Sequence, residues 1–245
     1  MNAAALSRAL IITAVTVLGG GAACRGRVTP PVGAGNDGAS TAPGPAAAAA
    51  GKPFRIAMIA KSSTNPIFLS ARTGAEAAAK EATARIGVPV EIVWLTPPQE
   101  DGQLQAQRIA QAVNEGANAI LISCSDAGKV TGAIDDAVAR GVPVMTFDSD
   151  APRSKRFSFY GVDDRRIGQD VMAELAKQMD GRGKVAILAG NQNAPNLRRR
   201  VDGVRAEAAK HPGIQIIGPF YHAETPQEAA TAVINANNAN PDIKN

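Results

Sequence analysis

The amino-acid sequence predicts an α/β protein made of two doubly wound parallel-sheet lobes, the second of them truncated. Three observations carry that prediction. Short apolar runs of strand length alternate with helical stretches from residue 54 onward. The links between them are short. The alternation comes in two sets, joined near residues 150–157. Strands that alternate with helices call for a parallel sheet covered on both faces, because each crossover between parallel neighbours is itself a helix.

The length of 245 residues suits one large domain or two modest ones. Hydrophobic residues at 45% and charged residues at 20% are enough to bury an ordinary core.

In chain order, residues 1–24 come first and read as a signal peptide. Arg8, the apolar run 9–18 and the small residues ahead of Cys24 follow the order of a secretory leader. The apolar run is too short to span a bilayer, which takes about 20 residues. The small residues before Cys24 resemble a lipoprotein signal, with Cys24 as the lipidation site, although Gly21 stands where Leu is usual. Simple cleavage to an unlipidated product is the alternative. Residues 25–52 are Gly, Ala, Pro, Ser and Thr with little bulky apolar content. Such a segment cannot bury enough surface to offset its ordering entropy, so it reads as a flexible linker.

The N-terminal lobe is expected over 53–150. Residues 54–60 form a strand, and 66–86 an Ala-rich helix. Residues 90–95 alternate as a strand does, and Leu104, Ile109 and Val113 give helical spacing over 102–115. A strand at 119–123, a helix over 128–140 stopped by Gly141, and a strand at 142–147 complete the set. The C-terminal lobe is expected over 151–245. It opens with a strand at 157–161, then a helix over 164–179, a strand at 184–189, a helix over 194–210, a strand at 214–217 and a helix from Pro226. Two strands after the opening one fall short of the usual four to six per sheet, so the chain reads as a fragment.

Composition narrows the function. The net charge of +4 comes from scattered basic residues, and the run Arg198–Arg200 has no interleaved aromatics, which argues against a nucleic-acid partner. No Gly-x-Gly-x-x-Gly, Walker loop, Gly-x-Ser-x-Gly or cluster of metal ligands is present, so neither an enzyme, a cofactor nor a metal is expected. Cys124 reads as a small semi-buried side chain. In open parallel sheets ligands sit beyond the carboxyl ends of the strands, which selects the loops 61–66, 123–127, 148–153, 190–198 and 220–225. Two such edges facing each other make a cleft that closes by hinge motion.

Over residues 54–245 the chain resembles the periplasmic sugar-binding proteins of the ribose-binding type, the type I solute-binding family of ABC importers. The resemblance rests on Asn65-Pro66-Ile67-Phe68, Ile122-Ser123-Cys124-Ser125-Asp126, the strand ending in Asp148, Gly161-Val162-Asp163-Asp164, Leu188-Ala189-Gly190-Asn191, and the helix with Arg198 and Gly203. It implies an exported, periplasmic or cell-envelope protein that captures a sugar-like ligand and passes it to an ABC permease; presentation to a membrane sensor is the alternative. A cytoplasmic LacI-like regulator shares the fold but opens with a helix-turn-helix, where residues 1–52 offer a leader and linker.

The resemblance also implies roles for matching positions. Lys61 brings a charge to the first loop, Asn65 hydrogen-bonds hydroxyls through its carbonyl and amide, and Phe68 stacks on a sugar face. Plainer readings stand beside these: Asn65 as the N-cap of a helix with Pro66 at its first position, and Phe68 as core. Asp148 accepts two ligand hydroxyls with charge-assisted strength, or serves its turn. Ser149 stands where the ribose type has Arg, which counts against ribose itself. Arg198 matches the binding Arg of the second lobe, while Arg199 and Arg200 fit a solvated face. Asp164 either meets ligand or caps its helix. Ser123 and Asp126 lie at a strand end. His222 is near where relatives place an aromatic, a position that falls on Ala223 here.

Overall fold

The computed structural model describes residues 51–244. The expected leader, the lipidation site Cys24 and all but the last two residues of the expected linker lie outside the described residues. The described residues form one compact unit.

The strands are β1 (Phe54–Ile59), β2 (Val90–Trp94), β3 (Ala119–Ile122), β4 (Val144–Phe147), β5 (Ser158–Tyr160), β6 (Arg182–Ala189) and β7 (Gly213–Tyr221). The helices are α1 (Pro66–Ile86), α2 (Gly102–Asn114), α3 (Ala127–Ala139), α4 (Asp164–Gln178), α5 (Pro195–Ala208) and α6 (Pro226–Ala239), with a final 3₁₀ turn at Pro241–Lys244. The first five strands form one sheet in the order β2-β1-β3-β4-β5, and β6 and β7 form a second. Every recorded pairing is parallel. Among the described residues no helix is long and apolar enough to cross a membrane.

One expectation is corrected here. The strand expected at 157–161 to open the second lobe is β5, and it pairs with β4 through Met145↔Ser158 and Phe147↔Tyr160. The polar stretch between them was read as a lobe junction. It is instead a brace, in which Asp150 accepts from Thr146 Oγ1 (2.6 Å), the Ala151 N–H (2.8 Å) and the Arg156 guanidinium (2.5 and 2.7 Å). Burial alone would raise the Asp150 carboxyl, but those hydrogen bonds hold it below the usual range.

The core of the first sheet is aliphatic. Ile59, Ile120, Ile122, Ile134 and Val144 are fully buried and pack with Val130 and Ile109. Each such side chain contributes about 2 kcal/mol on burial. The second sheet packs Met172, Ala176 and Val185 on one cluster and Ile187, Ala189 and Val201 on another. Helix starts are set by side-chain caps: Asn65 for α1, Asp101 for α2, Asp126 for α3, Asp163 for α4 and Thr225 for α6. The cap of α4 is therefore Asp163, not Asp164. Gly87 closes α1 in the left-handed region (φ 71°), where a side chain would be strained.

Register decides where the loops point. Ile59 pairs with Ile122 and Ile122 with Thr146, so β1, β3 and β4 end at one level. Ala189 pairs with Tyr221, which levels the ends of β6 and β7. Behind the first edge, the fully buried Gln105 of α2 donates to the carbonyls of Ala60 (3.0 Å) and Ser123 (2.7 Å) and accepts from the Ser125 N–H (2.9 Å). One amide thus ties the loops after β1 and β3 together.

Candidate ligand cleft

The candidate side chains sit beyond the carboxyl ends of strands from both sheets and in the first turn of α5. Asp148 follows β4 in the left-handed region (φ 56°), a conformation that costs an L residue about 1 kcal/mol. Its N–H donates to the Tyr160 carbonyl (3.0 Å), which anchors the turn to β5. That turn aims the carboxylate at Ser123 Oγ (2.8 Å), beyond β3, and at Asn196 Nδ2 (3.2 Å), in the first turn of α5. Asn196 belongs to the second sheet's half and is 4% exposed.

A second bridge is ionic. Lys61, after β1, is 2% exposed, and its Nζ lies 3.4 Å from both Glu100 Oε1 and Glu224 Oε1. Glu100 comes from the loop after β2 and Glu224 from the loop after β7. Asn191, after β6, donates through Nδ2 to Glu100 Oε2 (3.2 Å) and the Ser125 carbonyl (3.4 Å), and through its N–H to Glu224 (3.2 Å). Burial pushes the Glu100 carboxyl up to about 7, with the Glu224 carboxylate adding to the rise and Lys61 opposing it. Glu224 goes the other way: burial would raise it, but Lys61 and its hydrogen bonds hold it below the usual carboxylate range.

Beside Glu224 lies a cleft of about 670 Å³, with Asn65 and Pro66 on one wall and Gly190, Leu197, His222 and Glu224 on the other. A volume of that size suits a small molecule. Two buried hydroxyls at the first edge, Ser125 Oγ and Ser149 Oγ, have no hydrogen-bond partner. Such groups are costly to leave unsatisfied, which makes them candidates for a ligand's hydroxyls. Among the described residues no group of His, Cys, Asp or Glu side chains could hold a metal ion.

The structure gathers Lys61, Asn65, Ser123, Asp148 and Ser149 at one edge. Asn65 both caps α1, accepting from the Ile67 N–H (3.0 Å), and lines the cleft, so its two readings coexist. Asp126 is occupied as the cap of α3. Phe68 is buried at 4% exposure and is not among the residues that line the cleft. Arg198 is exposed on α5 and takes part in no ion pair given for the described residues. Arg200, expected on a solvated face, instead pairs with the buried Asp164 (2.8 Å). Burial raises the Asp164 carboxyl and Arg200 offsets only part of the rise. Cys124 is fully buried, and burial pushes its thiol up, so it is a poor nucleophile.

Four further residues join the candidate site, Glu100, Asn191, Asn196 and Glu224, none of which the sequence assigned to a ligand. Three of them lie in the loops at 190–198 and 220–225, where the strand-end rule already pointed. Glu100 lies beyond β2, a strand end to which the same rule applies.

Comparison with known proteins bears on the family and the fold. A family profile described as a periplasmic binding protein domain matches residues 56–244. The ribose import binding protein RbsB of Bacillus subtilis is 32% identical over 152 residues, 62% of this chain and 48% of that protein. The D-ribose/D-allose-binding protein of Pseudomonas aeruginosa is 26% identical over 199 residues, 78% of this chain and 60% of that protein. A solved ABC transporter solute-binding protein from Burkholderia graminis, in complex with D-arabinose, superposes with a TM-score of 0.70 at 28% identity, covering 77% of this chain and 63% of that one. The chain thus spans about half to three fifths of the length of the relatives it matches.

Proposed function

This chain belongs to the family of periplasmic binding protein domains, and on that footing we propose that it is an exported solute-binding protein for a sugar or sugar derivative. The observation that carries the reading is the convergence of Asp148, after β4, and Asn196, at the start of α5, near a cleft walled by Asn65 and Glu224. Hydroxyl-rich ligands need paired donors and acceptors at fixed spacing, and Asp148, Asn191, Asn196 and the hydroxyls of Ser125 and Ser149 supply them. The ligand bridges two strand-end edges and shifts the population towards the closed form. No covalent step is part of this reading, and none of the residues has an enzymatic role. Delivery to an ABC permease is proposed because relatives are named for import and for ABC transport.

Titration calorimetry of the full-length protein with D-ribose, D-allose, D-arabinose and xylitol tests the reading. One-to-one binding of at least one sugar, with compaction by scattering, is the expected result. Absence of heat and of compaction with every sugar would sink it. Co-purification with a sensor domain in place of a permease would redirect the delivery step alone.

A further inference from the structure

We propose that Lys61, Glu100, Asn191 and Glu224 form a clasp across the cleft that takes up a proton as the two halves close, so that closure is linked to pH. Lys61 and Glu100 hang from the first sheet, and Asn191 and Glu224 from the second. The contacts of Glu224 with Lys61 (3.4 Å) and of Asn191 with Glu100 (3.2 Å) therefore exist only while the edges face each other.

The chemistry of the cluster asks for a proton. One ammonium neutralises one carboxylate, yet two carboxylates flank Lys61. The Glu100 side chain is 4% exposed and that of Glu224 18%, so water cannot screen the excess negative charge as it does on a surface. Carried as the acid, Glu100 can donate its O–H to Glu224, and the cluster becomes one cation, one anion and one neutral donor. Its raised value, about 7, follows from burial and from Glu224. In an open form Glu100 faces water and returns towards an ordinary carboxylate.

The surrounding groups do not replace that proton. Asp101, next in the chain, spends its carboxylate on the N–H groups of Gln103 (2.8 Å) and Leu104 (2.9 Å) at the start of α2. His222, on the facing loop, accepts from the Glu224 N–H through Nδ1 (3.0 Å). Tyr221 and Asn193 share the hollow beside Glu100.

The sign follows. A group whose value is raised in the closed form binds its proton more tightly there, so closure gains as pH falls below about 7 and weakens as pH rises through that value. The inference rests on the hinge motion of the binding-protein reading but needs no ligand.

Small-angle scattering of the ligand-free full-length protein at about pH 5.5 and about pH 8.5 tests it, since those values bracket the titration. The wild type is expected to expand at the higher pH, and Glu100→Gln, which keeps shape and removes the titration, to stay compact at both. Should Glu100→Gln fail to fold by circular dichroism, Glu224→Gln takes its place. It leaves Glu100 as the sole carboxylate partner of Lys61 and is expected to abolish the response too. Equal dimensions of the wild type at both values overturn the proposal, as does a variant that follows the wild-type course. A sugar panel in the same cell reports separately: no sugar-induced compaction ends the sugar reading without altering the pH comparison.

Discussion

Asp148, in the turn after β4, accepts a hydrogen bond from Asn196 in the first turn of α5 (3.2 Å), and the same carboxylate accepts another from Ser123 Oγ (2.8 Å). Hydrogen bonds to a charged group contribute about 1.5–3 kcal/mol each. Asp148→Ala is therefore expected to weaken ligand binding by roughly tenfold to a hundredfold. Calorimetry with the best ligand of the sugar panel measures the effect, and affinity within about twofold of wild type would remove Asp148 from the site.

Gln105 fixes the frame on which that site is built. Its side chain satisfies two carbonyls and one N–H in a fully buried position, so Gln105→Leu leaves three main-chain groups without partners. The expected loss is on the order of 3 kcal/mol or more, read as a lower urea midpoint at unchanged slope. Binding should weaken as well, because the loops after β1 and β3 lose their common tie.

The Asp150–Arg156 pair gives a pH-dependent test. Asp150 is held below its ordinary value, so the stability it brings is present above the unfolded carboxylate range, about 3.9, and is lost as pH falls through the folded value. Arg156→Ala leaves a carboxylate buried without its main partner, at a cost of about 3 kcal/mol near neutral pH. That cost should shrink at about pH 3, because the buried carboxyl of the variant, without the guanidinium, takes up a proton more readily than it does in the wild type. Denaturant melts at the two pH values read the difference.

The first sheet was legible because its strands are short, apolar and separated by well-signed helix caps. Asn65 before Pro66, and Asp101 and Asp126 ahead of α2 and α3, announce themselves in the sequence. The place of β5 was not legible. Ser158–Tyr160 is three residues long and its pairing with β4 depends on the Asp150 brace, a contact between residues six apart whose geometry no periodicity reveals. The site divided along a similar line. Asp148 and Asn65 follow from the strand-end rule, whereas the ionic bridge of Lys61 with Glu224 joins residues 163 apart and needs the register of both sheets. The Arg200–Asp164 pair is not legible in the run Arg198–Arg200, because those arginines differ only in which way they face on α5, and packing of α5 on α4 decides that.

That packing has its own test. Gly168 of α4 lies against the Arg200 main chain, and Gly203 of α5 against that of Arg165, so a methyl at either position collides with backbone that cannot step aside. Gly203→Ala is expected to cost about 3 kcal/mol through forced separation of the helices. It should also loosen the Asp164–Arg200 pair, which spans the same contact. Thermal melts measure the first effect. Unchanged stability would mean that the helices sit farther apart than their glycines imply.

Asn65 separates folding from binding within one side chain. Its carbonyl caps α1 by accepting from the Ile67 N–H (3.0 Å), while its amide is the group left for a ligand in the cleft. Asn65→Asp keeps a good capping acceptor but exchanges the amide donor for a second acceptor. Stability should stay within about 0.5 kcal/mol of wild type, since Asp and Asn cap almost equally well. Affinity for a neutral sugar should fall by roughly tenfold, because one hydrogen bond is lost and an acceptor is left facing the ligand. Asn65→Ala, by contrast, lowers both stability, by about 1 kcal/mol, and affinity. Paired melts and titrations of the two variants distinguish the roles: equal affinity for Asn65→Asp and wild type would leave Asn65 as a helix cap and nothing more.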